Sequence, residues 1–329
     1  MNPNPQNVLI INFGQIGDVI LSLPALSAVR ARFPAAKITA MIGKSGAAIV
    51  ELCGFADEQI VVDRVKLRDG KKPESIREVF RITKDVRRRK FDLVIDLHSL
   101  YETNLLGFVS GAKHRLYANR ENRSLDFLAN FNPQPPREDK KIHLTDGYLS
   151  VLKPLGIENA PRVVKIKPRT QDLENIETHL QKFGNKRLIG LFPGAGNISR
   201  RWDLEKFAAL AENFSSAANT QLIVFLGPEE ADLREAVESK FLSDTAIIDK
   251  LSLTEFVAAL SKLSVLVSND TGAIHLAAMV GTPVVLVMDQ RAPLTYLPLT
   301  EKLCVVNYAP LDEISVAKVR QAARKFVGA

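Results

Sequence analysis

The sequence predicts an α/β protein made of two doubly wound halves, and three observations carry that prediction. Short apolar runs alternate with helix-period segments along the 329 residues, the pattern of parallel sheets covered on both faces with right-handed crossovers. That pattern begins at Val8-Leu9-Ile10-Ile11 and begins again at Leu188-Ile189-Gly190-Leu191-Phe192. Each beginning runs into a glycine-bearing turn that opens a helix, where open α/β sheets bind their ligands.

In the first half, the strand at 8–11 leads to Asn12-Phe13-Gly14-Gln15-Ile16-Gly17-Asp18 and a helix with Leu21, Ala25, Ala28, Val29 and Phe33 at helical spacing, closed by Pro34. Strands follow at 38–42 and 60–62. A long helix with apolar positions Ile76, Val79, Phe80, Ile82 and Val86 leads to a strand at 91–96, and 114–117 reads as a fifth strand. Residues 118–142 lack periodicity and contain Pro133-Gln134-Pro135-Pro136, the mark of a functional or mobile loop. A helix at 143–155 comes next, and 158–172, with Pro161 and Pro168, reads as the linker.

The second half runs through the strand 188–192, a glycine-rich turn at 193–196, a helix 203–214, a strand 221–226, a helix 229–241 and a strand 246–248. A helix 253–262 then leads to the strand Val265-Leu266-Val267, a short helix with Asp270 or Thr271 as N-cap and Gly281 past its end, and the strand 283–287. A last strand at 303–306 and a closing helix at 314–326 complete it. The expected domains are therefore 1–165 and 166–310, with residues 311–329 a terminal helix that can return to the first domain.

Composition narrows the function. Hydrophobic content of 46% and charged content of 25% are those of a soluble globular protein. The N-terminus has no signal-peptide pattern, no apolar run approaches a membrane span, and Cys53 and Cys304 lack metal-ligand spacing. Together these predict a cytoplasmic protein. The net charge of +7 is uneven: residues 1–170 hold 28 Lys and Arg against 18 Asp and Glu, while the rest of the chain is mildly acidic. The clusters Arg87-Arg88-Arg89-Lys90 and Lys66 to Lys72 are the densest, so the first domain suits an anionic partner. Nucleic acid is excluded, since aromatics are 7% and do not interleave with the basic runs.

Three turns carry the chemistry. Gly14-Gln15-Ile16-Gly17-Asp18 lacks the third glycine of a dinucleotide fingerprint, which disfavours an NAD enzyme. Gly17 allows close backbone approach, and Asp18 either caps the helix or faces the cleft as a general base. Pro193-Gly194-Ala195-Gly196 frees backbone N–H groups for a phosphate, with Arg200 and Arg201 as charged donors and Trp202 as a core anchor. Asp270-Thr271-Gly272 opens a helix whose free N–H groups and dipole suit a second phosphate, with His275 on the same face as Thr271. Two such turns on one sheet edge point to a nucleotide diphosphate.

These segments, with Leu23-Pro24-Ala25-Leu26, Phe91 to Leu97, Arg200-Arg201-Trp202 and His275-Leu276-Ala277-Ala278, resemble the lipopolysaccharide heptosyltransferases of glycosyltransferase family 9 over essentially the whole chain. The resemblance implies a GT-B architecture, two Rossmann-like domains whose parallel sheets face a central cleft. It implies inverting, metal-independent transfer from an ADP-heptose-type donor, as substrate and with no cofactor, to an anionic inner-core acceptor at the inner membrane surface. The absence of an Asp-x-Asp triplet agrees with that. By the same resemblance Asp18 falls on the proposed catalytic base and Arg200 on a phosphate-neutralising lysine. Asp270, Thr271, Gly272 and His275 fall on the nucleotide-sugar motif, which Gly17, Pro193, Gly194, Ala195 and Arg201 complete. Met288 to Pro293 departs from the family's Gly-Pro-Thr-like segment. Sugar-nucleotide 2-epimerases share the architecture and are the alternative, as is a transferase of another nucleotide-linked sugar.

Overall fold

A computed structural model describes residues 4–69, 72–122, 124–215 and 219–327. The chain divides into two compact units, Met1–Val164 and Lys165–Ala329.

The first unit runs β1 (Asn7–Asn12), α1 (Ile16–Arg32), β2 (Lys37–Gly43), α2 (Ala47–Cys53), β3 (Glu58–Val62), α3 (Arg64–Asp69), α4 (Lys72–Arg88), β4 (Leu93–Asp96), α5 (Tyr101–Val109), β5 (His114–Tyr117) and α6 (Leu144–Ser150). Its five strands are parallel in the order β3-β2-β1-β4-β5. The chain reverses its direction across the sheet between β1 and β4, which makes their carboxyl ends the switch point. Leu9, Ile11, Met41 and Val94 from the strands meet Ile82 and Val86 of α4 in one core.

The second unit runs α7 (Thr170–Leu180), β6 (Arg187–Phe192), α8 (Leu204–Ser215), β7 (Thr220–Phe225), α9 (Arg234–Lys240), β8 (Ala246–Ile248), α10 (Leu253–Ser261), β9 (Val265–Asn269), α11 (Gly272–Val280), β10 (Val284–Val287), β11 (Leu303–Val306) and α12 (Val316–Val327). The six strands are parallel in the order β11-β10-β9-β6-β7-β8, so the switch point lies between β6 and β9.

Several expectations change. The terminal helix α12 is an integral part of the second unit: Val319, Ala322, Ala323 and Val327 enter its core, and the helix packs on α8 and the sheet. The linker region 158–172 already contains the start of α7, whose N-cap is Arg169. The single helix expected over 229–241 is a 3-10 segment, Pro228–Leu233, followed by α9. Helix α5 escaped the periodicity because it buries polar Thr103 and Asn104 while exposing Tyr101, Leu105 and Phe108, an inversion of the usual stripe. In α4 only Ile82 and Val86 are buried, and Ile76, Val79 and Phe80 are exposed. Gly70 and Lys71 of the basic cluster at 66–72, and Arg123 of the segment 118–142, lie outside the described residues. That segment is tied down at several points: Asn130 accepts from Arg115 N, Asp126 accepts from Arg120 N, and Asn119 forms an isolated β-bridge with Arg137, its carbonyl accepting from Glu138 N (2.8 Å).

Candidate functional site

In the second unit both predicted phosphate turns meet at the switch point, and a buried asparagine joins them. Asn269 ends β9 with no solvent exposure. Its Nδ2 donates to Pro193 O (2.7 Å) and its Oδ1 accepts from Trp202 N (3.0 Å). The Trp202 indole Nε1 in turn donates to Ile314 O (3.1 Å), so the only tryptophan anchors the end of the turn in the core. Asn269 directly precedes the Asp270-Thr271-Gly272 turn, and the sequence gives no sign of its role because its partners lie 67 and 76 residues away.

The predicted residues divide into two groups. Arg200 is exposed and its guanidinium reaches Asp270 Oδ2 at 3.2 Å, which brings the two turns' charged side chains together. Thr271 is the N-cap of the nine-residue helix α11, its backbone extended and its side chain making no cap hydrogen bond, and the first N–H groups of the helix have no partner within it. Gly281 closes that helix, as expected. His275 is buried within it. Arg201 does something different: Nε donates to Ala195 O (2.9 Å), and the guanidinium pairs with Asp232 at 3.1 Å. It holds the 193–196 turn in shape. Pro193, Gly194 and Ala195 are all buried.

One carboxylate was missed. Glu230 is buried at the ends of β6 and β7, where Oε2 accepts from Gly227 N (3.0 Å). A Cβ on Gly194 would lie 2.1 Å from Glu230 Cγ, so glycine is needed there for the carboxyl to reach its place. Burial, and then the neighbouring charges of Glu229 and Asp232, push its pKa above the ordinary range. In the sequence Glu230 falls at the start of the segment 229–241 expected to be helical, where nothing local sets it apart. Beyond β10, Asp289 accepts from Arg291 and from Leu311 N, closing the departing segment 288–293 into a turn and holding the Asp289 carboxyl well below the usual range.

In the first unit Asp18 sits in the first turn of α1, half-buried, with Oδ2 accepting from Gln15 N (3.1 Å). It caps the helix and stands at the switch point at once. Gly14 makes this possible, because a Cβ there would meet Asp18 Cβ at 2.4 Å. Gly17 lies between them, half-buried. Asn12 Oδ1 accepts from Gly14 N (2.9 Å) and fixes the turn from below.

Across from β1, the end of β4 carries a network that sequence reasoning did not foresee. Asp96 is fully buried; it accepts from His98 N (3.0 Å), Ser99 N (2.8 Å) and Asn104 Nδ2 (2.9 Å). Burial raises its pKa to about 6 against those hydrogen bonds. Ser99 is held at a φ of 46°, in the left-handed region, by Asp96 and by its own Oγ donating to Asp126 (3.1 Å). Beside it the His98 ring lies against Phe13, ring centroids 6.4 Å apart. Burial, with Arg120 and Arg64 nearby, lowers the His98 pKa to about 3, so the ring is neutral. Its Nε2 is buried without a partner among the described residues. Among the described residues no group of three or more His, Cys, Asp or Glu side chains is arranged to hold a metal ion.

Comparison with known proteins gives the same assignment from several directions. The model of glycosyltransferase family 9 (heptosyltransferase) matches residues 79–321. The lipopolysaccharide core heptosyltransferase OpsX of Haemophilus influenzae is 21% identical over 327 residues, 98% of this chain and 87% of that protein. A glycosyl transferase family 9 structure from Veillonella parvula has a TM-score of 0.85 at 23% identity, covering 99% of this chain and 98% of that one. Escherichia coli heptosyltransferase WaaC with ADP has a TM-score of 0.76 at 19% identity, covering 97% and 99%. At these identities the structural likeness establishes the GT-B fold. A family match that runs from within α4 into α12 and includes both turns of the second switch point makes this chain a member of glycosyltransferase family 9, and so a glycosyltransferase.

Proposed function

We propose that the protein transfers heptose, with inversion and without a metal, from ADP-heptose to an anionic lipopolysaccharide inner-core acceptor, working on the cytoplasmic face of the inner membrane. The observation that carries this reading is the pair of turns joined by Asn269, with Arg200 and the α11 N-terminus on the open side. A leaving diphosphate needs fixed positive charge as its own charge develops, and oriented donors supply it without reorganisation. Glu230 stands at the end of the second strand of its unit, the place from which an acidic residue accepts ribose hydroxyls in nucleotide-binding α/β folds.

On the acceptor side, Asp18 is the base that takes the proton of the attacking hydroxyl. Inversion needs one displacement and one base, so no second carboxylate has to act as nucleophile. OpsX, a lipopolysaccharide core heptosyltransferase, and WaaC, which has been solved with ADP-2-deoxy-2-fluoro heptose, support the heptose and the lipopolysaccharide acceptor.

The test starts with thermal unfolding in saturating ADP, UDP or NAD. Selective stabilisation by ADP is expected; at about 100 times Kd it amounts to roughly 2.7 kcal/mol. Transfer from ADP-heptose to heptose-deficient lipopolysaccharide, in the presence of EDTA, then measures the reaction itself. Asp18→Asn should lower kcat about 10²- to 10⁴-fold with the ADP shift intact. Stabilisation by UDP alone, or full activity in Asp18→Asn, would remove the donor or the base from the scheme.

A further inference from the structure

Helix α4 has two apolar stripes but only one of them has a partner. Ile82 and Val86, near its C-terminal end, are buried in the core of the first unit. Toward its N-terminal end, Ile76 is 68% exposed, Val79 50% and Phe80 68%. On α3, which packs beside α4, Val65 is 62% exposed. Large apolar side chains left in water together on one helix face mark an interaction surface.

Charge identifies the partner. At about 100° per residue, Ile76 and Phe80 share a face, Arg77, Arg81, Lys84 and Arg88 line the flank beside it, and Glu74, Glu78 and Asp85 lie beyond. Arg81 and Arg88 are paired with Glu78 and Asp85, whereas Arg77, Lys84 and Arg87 have no ion pair among the described residues. Residues 64–90 hold twelve Lys and Arg against four Asp and Glu, more net positive charge than the whole chain carries. An apolar stripe flanked by cations, on a helix lying along the surface of a domain, fits the boundary between lipid headgroups and acyl chains. A nucleic acid would leave Ile76 and Phe80 in water. A second copy of the chain would set one cationic face against another.

We propose that the N-terminal half of α4, with Val65 of α3, docks the protein on an anionic lipid bilayer, with Ile76 and Phe80 inserted and Arg77, Lys84 and Arg87 at the headgroups. No helix among the described residues is long and apolar enough to cross a membrane, so the attachment is lateral and reversible. The proposal rests on the reading above only in taking the acceptor to be membrane-borne. The docking itself needs no acceptor.

The experiment is flotation of the full chain with vesicles of phosphatidylcholine alone or with about one-third phosphatidylglycerol, at low and at physiological salt. Binding is expected only to the anionic vesicles, weakening as salt rises. The double variant Ile76→Glu/Phe80→Glu should lower the bound fraction roughly tenfold or more, and Arg77→Gln/Lys84→Gln/Arg87→Gln should lower it at every salt concentration. Both variants are controlled by their melting temperatures and by transfer to a de-acylated, water-soluble core acceptor. Unchanged soluble transfer with lost flotation is the expected pattern. Wild-type flotation by either variant, equal binding to neutral vesicles, or no binding to anionic ones would overturn the proposal. So would loss of soluble transfer in step with flotation, which would assign this face to the acceptor site. Absence of ADP-heptose transfer with anionic vesicle binding intact would count against the proposed reaction and leave the surface standing.

Discussion

Replacing Asn269 by alanine tests whether one buried amide organises the donor side. The substitution removes the hydrogen bonds from Trp202 N (3.0 Å) and to Pro193 O (2.7 Å), together with a longer one to Gly194 O (3.4 Å), at a side chain with no solvent exposure. Each orphaned backbone group costs about 1–3 kcal/mol when no water can reach it. For the two shorter bonds the expected loss is therefore about 2–6 kcal/mol, or roughly 5–20 °C in the melting temperature of a unit of this size. Trp202 is the only tryptophan and is buried in the second unit, so its fluorescence reports that unit's unfolding directly. The ADP-induced shift should shrink as well, because the turn at 193–196 loses its tie to β9. Asn269→Asp keeps the acceptor for Trp202 N but sets an oxygen against Pro193 O. It should be comparably damaging at neutral pH and recover at acid pH, where the protonated carboxyl can donate. A fluorescence midpoint within 1 °C of wild type (~0.3 kcal/mol), together with an unchanged ADP shift, would refute the idea that Asn269 couples the turns.

Other expectations follow from neighbouring contacts. Gly194→Ala drives a methyl group into Glu230, 2.1 Å from Cγ, and should weaken ADP binding and stability by about 1–3 kcal/mol, whereas Gly196→Ala meets nothing closer than Glu229 Oε2 at 3.3 Å and serves as the control. Arg200→Ala should lower kcat about 10²- to 10³-fold with little change in melting temperature, because its side chain is exposed; Arg201→Ala should instead lower stability by loosening the turn. The Asp96 carboxyl has a folded pKa of about 6 against 3.8, so its protonated form favours the native state and that contribution is lost as pH rises through 6. Asp96→Asn, compared with wild type by urea unfolding followed by circular dichroism, should therefore show a penalty that shrinks by about 2 kcal/mol between pH 4 and pH 7. A pH-independent difference would mean that Asp96 does not titrate in this range.

How much of this was legible beforehand varied with the physics of each element. Strands β1, β2, β4, β6, β9 and β10 are buried on both faces, and such strands declare themselves as continuous apolar runs. The turns after β1, β6 and β9 were equally visible, because small residues, a capping residue and a helix start are local features. Helix α5 was hidden by an inward face of Thr103 and Asn104, and α4 misled because Ile76, Val79 and Phe80 extend its apolar pattern without entering the core that Ile82 and Val86 join.

The residue order alone determined two doubly wound halves, the three turns that carry Asp18, Arg200 and Asp270, and the family resemblance those turns support. Each of these depends on neighbours a few positions apart, which periodicity and capping register directly. Only the tertiary structure decided which arginine faces outward, since Arg201 is taken by Ala195 and Asp232 while Arg200 reaches Asp270. It also brought Glu230 against Gly194, Asn269 between two turns, and neutral His98 to the end of β1. Those contacts join segments that only strand order brings side by side, and burial, which sets the charge state of Asp96 and His98, exists only once the chain has closed around them.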